Sequence, residues 1–201
     1  MGKLVTIVGN TGIGKTTFTR ELCRAGAFAT GLEQHIERPF HALFSQDLHR
    51  FALANQIDYL LLRAEQELAI RQGSVTGILD GGLDQDFQIF TRLFYNRGYL
   101  TGDEFNLCES MFRFFRVVLP PPDLIVCLVA PLEVVAERYA RRNRGMEIAK
   151  INDLMELEEL LDDWLSSVTD SPILNVDASL DDQGYAQAVE DVLAVIKNYL
   201  W

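Results

Sequence analysis

The chain has 201 residues, a formal net charge of −11 at neutral pH, and 48% hydrophobic residues. That size and apolar content allow one well-buried domain and argue against a disordered chain. The acidic balance argues against a general nucleic-acid binder, which needs a basic footprint. The three cysteines, Cys23, Cys108 and Cys127, are an odd and widely spaced set. They point to neither a disulfide framework nor a zinc site, and to a reducing compartment. The N-terminal apolar run is too short for a leader, and no stretch approaches the roughly 18 apolar residues of a membrane span. The expectation is a cytoplasmic protein without membrane or nucleic-acid partners.

The first apolar run, Leu4–Val8, reads as a buried strand, and the residues from Thr16 to Leu22 read as a helix. Between them lies Gly9-Asn10-Thr11-Gly12-Ile13-Gly14-Lys15-Thr16, with Thr17 just inside the helix. This is the G-x-x-x-x-G-K-[ST] phosphate-binding loop, in the strand–loop–helix context it requires. Its glycines let backbone N–H groups converge on phosphate oxygens, and the helix N-terminus adds positive dipole character there. Lys15 would reach the β- and γ-phosphates, and the Thr16 hydroxyl would hold Mg²⁺. Residues 9–17 are therefore expected to bind ATP or a related triphosphate.

Further strands are expected at 27–32, 75–79, 124–129 and 173–176. Helices are expected at 51–72, 104–118, 132–142, 153–168 and 185–200. Alternating strands and helices imply a parallel sheet wrapped by helices, with ligands outside the strand C-termini. No repeat or linker interrupts the chain, so residues 1–201 read as a single domain.

Strand ends are where chemistry should gather. Glu33 follows the second strand, where a carboxylate would accept a proton from an attacking hydroxyl; a solvated loop acid is the alternative. Asp80 ends the third strand, where it would join Thr16 at Mg²⁺; Asp80-Gly81-Gly82 is also ordinary turn chemistry. Arg138, Arg141, Arg142 and Arg144 cluster within the segment 138–144. Such a cluster would close over a triphosphate, or pair with local acids such as Glu133 and Glu137. His35, His41 and His49 show no metal-ligand spacing.

Together these residues resemble the deoxyribonucleoside kinase family, particularly its bacterial deoxyadenosine/deoxyguanosine kinase branch, over most of the chain. The resemblance implies a P-loop NTPase three-layer fold, a five-stranded parallel sheet flanked by helices with an arginine-rich lid. It also implies transfer of the γ-phosphoryl group of ATP to the 5′-hydroxyl of a nucleoside. Glu33 and Pro39 match the family's Glu-Pro-Val-type segment, with Glu33 as catalytic base. Gln56 matches the base-reading Gln of the following helix. Arg138, Arg142, Arg144 and Glu147 fall at the spacing of the lid pattern R-x-x-x-R-G-R-x-x-E, with Asn143 in place of its Gly. The resemblance gives Glu147 to the sugar 3′-hydroxyl. It further implies a homodimer through helices on one side of the sheet, with Phe112, Phe114 and Phe115 serving that interface or the core.

The chain departs from the family at several positions. Where the family's third strand ends in Asp/Glu-Arg-Ser, this chain has Asp80-Gly81-Gly82, so the arginine near the transferred group is missing; Arg92 and the lid arginines are candidates to compensate, and nothing in the sequence shows that they do. Ser45 stands where the family often has a sugar-contacting Tyr, and Arg38 where relatives place an aromatic residue or Asn. These departures keep open a kinase for another small acceptor such as a nucleotide, with Arg38 meeting the extra anion, and a nucleotide-binding regulatory module.

Overall fold

The computed structural model describes residues 2–31, 38–141, 150–180 and 185–200. Among them, five strands form one parallel sheet in the order β2-β3-β1-β4-β5. They are β1 (Leu4–Val8), β2 (Ala29–Gly31), β3 (Gly77–Asp80), β4 (Leu124–Val129) and β5 (Ile173–Asp177). β1 is buried throughout and lies at the centre, paired to β3 on one side and β4 on the other. Strands covered on both faces need continuous apolar runs, which is why Leu4–Val8 and Leu124–Val129 appear at their expected bounds. β3 starts later than expected. Pairing, not hydropathy, sets its limits: Gly77 lies opposite Leu4 and Asp80 opposite Ile7, while Val75 is left exposed.

Helices α1 (Lys15–Ala25), α2 (His41–Gln46) and α3 (Leu48–Gln72) follow the first two strands. α3 begins before the expected residue 51 because the Asp47 side chain caps it, accepting from Arg50 N at 3.1 Å. α6 (Gly102–Val118) likewise begins at a capping box formed by Thr101 and Glu104. α7 (Leu132–Arg141), α8 (Leu154–Ser167) and α9 (Ala186–Leu200) match the expected helices closely.

Between β3 and α6 the sequence gives no helical signal, yet the chain is helical from Leu83 to Asn96. It runs through α4 (Leu83–Gln85), a π-helical segment (Asp86–Thr91) and α5 (Arg92–Asn96). The stretch buries Gln85, Asp86 and Thr91 along with Phe87, Ile89, Leu93 and Phe94. With polar residues turned inward, no apolar stripe separates from a polar face. π-helical turns recur at functional sites.

The main core gathers Phe18, Leu22, Phe44, Val126, Leu157 and Trp164 around the sheet. A smaller one joins Leu60, Leu83, Phe87, Cys108 and Phe112, with the Phe87 and Phe112 rings stacked 4.4 Å apart. Phe112 thus belongs to the core. Cys108 and Cys127 are buried and Cys23 half-buried, all as free thiols.

Beside that smaller core lies a cluster of charge. Arg116 Nη2 donates to both oxygens of the buried Glu67, at 2.8 and 2.9 Å, while its Nε lies 3.0 Å from Asp84 Oδ1. Glu67 also accepts from Leu83 N at 3.3 Å, fixing the chain as it leaves β3. Burial pushes the Asp84 carboxyl up to about 6, opposed by Arg116 and reinforced by Glu67 and Asp170. A carboxyl raised in the folded state is protonated there before it is protonated in the unfolded chain. Its contribution to stability is full below the unfolded value and lost as pH rises through about 6. Two units correspond to about 3 kcal/mol at neutral pH. Replacing Asp84 by Asn is therefore expected to stabilise the protein at pH 7.5, because Arg116 keeps both Glu67 bonds. The gain should shrink towards pH 4 in urea melts of the two proteins; a variant less stable than wild type at pH 7.5 would contradict this.

Candidate active site

The phosphate loop leaves β1 with positive φ at Gly9, Gly12 and Gly14, of 146°, 86° and 112°. Larger residues rarely adopt that backbone, and its crowding adds a second constraint: a Cβ on Gly12 would lie 3.1 Å from Tyr139 Cβ. Lys15 Nζ spans the loop, donating to the Gly9 and Asn10 carbonyls at 2.9 Å each. Asn10, 2% exposed, ties the loop to α8 by donating to Leu154 O at 2.9 Å and to Glu158 Oε2 at 2.6 Å. Its Oδ1 accepts from Thr11 N at 2.7 Å. Burial raises the Glu158 carboxyl above its usual range, opposed by the Asn10 bond.

Thr16, at the start of α1, donates to Asp80 Oδ2 at 2.5 Å. The two residues expected at the metal are thus brought together, one from the loop and one from the end of β3. Arg138 on α7 also reaches the loop. Its Nη1 donates to Ile13 O at 3.1 Å and Ala178 O at 2.5 Å, and its Nη2 to Ser179 O at 3.3 Å. Arg141 instead bonds Glu137 at 2.6 Å on the exposed side of α7, the local pairing considered for the arginine cluster. Glu33, Arg142, Arg144 and Glu147 lie outside the described residues.

Gln56 on α3 is 2% exposed and donates to Thr91 Oγ1 at 2.7 Å. Its Oε1 accepts from Asn55 Nδ2 at 3.3 Å. Thr91 Oγ1 donates in turn to Asp86 O at 3.1 Å, and Asp86 Oδ2 accepts from Arg63 Nε at 2.6 Å. Gln56, Thr91, Asp86 and Arg63 form one buried polar wall between α3 and the π-helical segment. Sequence reasoning missed Arg63, Asp86 and Thr91. Arg63 lies two helical turns after Gln56, on the same face, and that spacing would have marked it. Asp86 and Thr91 lie in the stretch with no periodic signal. Two buried acceptors, Asn55 Oδ1 and Gln85 Oε1, make no hydrogen bond among the described residues.

The departures from the family pattern resolve differently from expectation. Arg92, named as a candidate to compensate at Gly81, is exposed and its Nε donates to Gln88 at 3.0 Å. Arg63 lies close to position 81: a Cβ on Gly81 would sit 3.2 Å from Arg63 Nη2. A cation therefore stands beside the end of β3 although position 81 carries none. Arg38 does not present an open fork to an extra anion. Its Nε and Nη2 donate to the two Asp58 carboxylate oxygens at 2.7 and 2.5 Å. Ser45 is exposed and bonds Ala42 O within α2 at 2.8 Å. His41 and His49 pack against Tyr59 and Tyr99, and no group of three or more His, Cys, Asp or Glu among the described residues is placed to hold a metal.

Comparison with known proteins agrees with this geometry. The family model for deoxynucleoside kinase matches residues 5–200. The deoxyadenosine/deoxycytidine kinase of Bacillus subtilis (strain 168) is 24% identical, covering 97% of this chain and 94% of its own. The solved structure of deoxyadenosine kinase from M. mycoides, with the products dCMP and a flexible dCDP bound, superposes with a TM-score of 0.82. That match has 22% identity and covers 97% of this chain and 99% of the other; it establishes the fold. With a family match spanning nearly its whole length, the chain belongs to the deoxynucleoside kinase family, phosphotransferases that use a nucleoside triphosphate to phosphorylate a nucleoside.

Proposed function

We propose that the whole chain acts as one catalytic domain that transfers the γ-phosphoryl group of ATP to the 5′-hydroxyl of a deoxynucleoside, with deoxyadenosine and deoxycytidine as the first acceptors to try. The observation that carries this reading is the continuity of the site. Thr16 meets Asp80 at 2.5 Å, and the next residue, Gly81, abuts Arg63 of the polar wall. The triphosphate loop and the acceptor wall thus share one strand end.

Each residue has a role in that arrangement. Lys15 exchanges its two loop carbonyls for the β- and γ-phosphate oxygens. The hard oxygen donors of Thr16 and Asp80 suit Mg²⁺, which would supply positive charge to neutralise the triphosphate. Glu33 takes the 5′-hydroxyl proton onto its carboxylate. Gln56 presents its amide to the edge of the base, held by Thr91 and Asn55. Arg142 and Arg144 stabilise the donor and the transferring group, Arg138 steadies the loop that receives the donor through its bond to Ile13 O, and Glu147 holds the sugar hydroxyl. The Asp58 pairing of Arg38 favours a nucleoside over a nucleotide acceptor, because no fork is left open for a second phosphate.

Exposed apolar side chains support a homodimer. Leu107, Phe114, Val117 and Val118 on α6 are exposed, as are Leu61 and Leu68 on α3. We assign this face to a homodimer interface, since monomers rarely leave such patches open. No described helix is long and apolar enough to cross a membrane. A cytoplasmic location fits the free thiols.

Four outcomes are expected. In a turnover assay with ATP, Mg²⁺ and a panel of deoxynucleosides, ribonucleosides and monophosphates, ADP release should depend on a deoxynucleoside. Glu33→Gln should lower kcat by about 10²–10⁴ with ATP binding retained; full turnover in this variant would remove Glu33 as the base. Gln56→Leu should lower kcat/KM for the acceptor by about 5–150-fold and leave KM for ATP unchanged. Val117→Glu should convert a dimer to a monomer in analytical ultracentrifugation; a wild type sedimenting as a monomer would refute the interface.

A further inference from the structure

Tyr185, at the entry to α9, is the one non-glycine among the described residues with a positive φ, at 61°. An aromatic residue adopts that backbone only at a steric cost, and persists there only where its surroundings fix it. Its ring meets Phe18 of α1 edge-on, with centroids 5.4 Å apart. Its hydroxyl donates to Ile13 O of the phosphate loop at 3.3 Å. The fit is close: a Cβ on Gly14 would lie 2.3 Å from that hydroxyl. Arg138 Nη1 donates to the same Ile13 oxygen at 3.1 Å. One loop carbonyl is therefore held by donors from two elements that are remote from it in sequence.

The consequence follows from peptide geometry. In a planar trans peptide the C=O of one residue and the N–H of the next point in opposite directions, and the described chain has no cis bond. Fixing the Ile13 carbonyl toward α7 and α9 turns the Gly14 N–H to the other side. The opposite orientation would aim a carbonyl oxygen at the anion the loop receives, replacing an attraction with a repulsion. We propose that Tyr185 is a positioning residue for the phosphate donor, acting with Arg138 to hold the Ile13–Gly14 peptide so that the Gly14 N–H faces the triphosphate. This inference rests on the kinase reading above for the identity of the ligand.

The test uses the full chain, ¹⁵N-labelled, with ADP as the probe, alongside steady-state kinetics. In wild type the Gly14 amide proton should move downfield when ADP binds. Tyr185→Phe keeps the ring on Phe18 and removes only the hydroxyl. It should reduce that movement and raise KM for ATP about 3–10-fold, with KM for the nucleoside unchanged. Tyr185→Asn, which tolerates the left-handed backbone, should raise KM for ATP in the same way. If Tyr185→Phe shows the wild-type Gly14 movement and wild-type KM for ATP, the proposal is overturned. A rise in both KM values with an unaltered Gly14 movement also overturns it, because that marks a general structural role. A wild type that binds ADP without acceptor-dependent turnover would sink the kinase reading instead, and the Gly14 amide would still decide this proposal.

Discussion

The Thr16 hydroxyl and the Asp80 carboxylate meet because β1 and β3 run parallel with Ile7 opposite Asp80. The loop departs from the end of β1 directly above that pair, so a one-residue slip would carry the carboxylate to the other face of the sheet. The register is held further by Gly81 N, which donates to Ile7 O at 2.8 Å. Beyond it, Leu83 N is anchored on Glu67. Every other part of the site is placed relative to this joint. The Asn10 bonds to α8 steady the loop from one side, and the Gln85 side chain reaches Gly9 O at 3.2 Å from the other.

The buried polar wall carries a cost that packing alone would avoid. Arg63 and Asp86 are buried as an ion pair, and such pairs seldom stabilise a fold more than apolar residues of the same volume would. Their merit is preorganisation: each charge is already desolvated and oriented, so an incoming polar ligand meets fixed partners. The same logic extends to Gln56, whose amide is held on both sides before any ligand arrives. Behind the wall, Arg116 sits between Glu67 and Asp84 and keeps two buried carboxylates from facing one another unscreened. These buried charges lie near one strand end, beside the stacked Phe87 and Phe112 rings.

How much of this the sequence made legible depends on whether local chemistry or tertiary pairing decided it. β1, the glycine loop and β4 follow from unbroken apolar runs and a motif with fixed spacing. Lys15, Thr16 and Asp80 are readable for the same reason, and the structure brings Thr16 and Asp80 into contact. β3 is displaced because its ends are chosen by β1. The helical stretch from Leu83 to Asn96 leaves no trace in the pattern because its buried residues include an acid, an amide and a hydroxyl. Polar groups turned inward erase the periodicity by which helices are recognised. The missing signal and the buried polar wall have the same cause.

Gly81 shows why a motif read along the chain can mislead about the charge in a site. Along the sequence, glycine at this position removes a cation. In space, its lack of a side chain leaves room for one, because Arg63 Nη2 approaches to where a Cβ would lie 3.2 Å away. The backbone there has φ of 83°, which glycine adopts without strain. A larger residue would have to displace the guanidinium by a few tenths of an ångström and pull on its bond to Asp86, which is itself linked through Thr91 to Gln56. The identity of residue 81 is thereby coupled to the geometry of the whole wall. Among the described residues, a glycine here leaves the only side chain at that spot to α3, through Arg63.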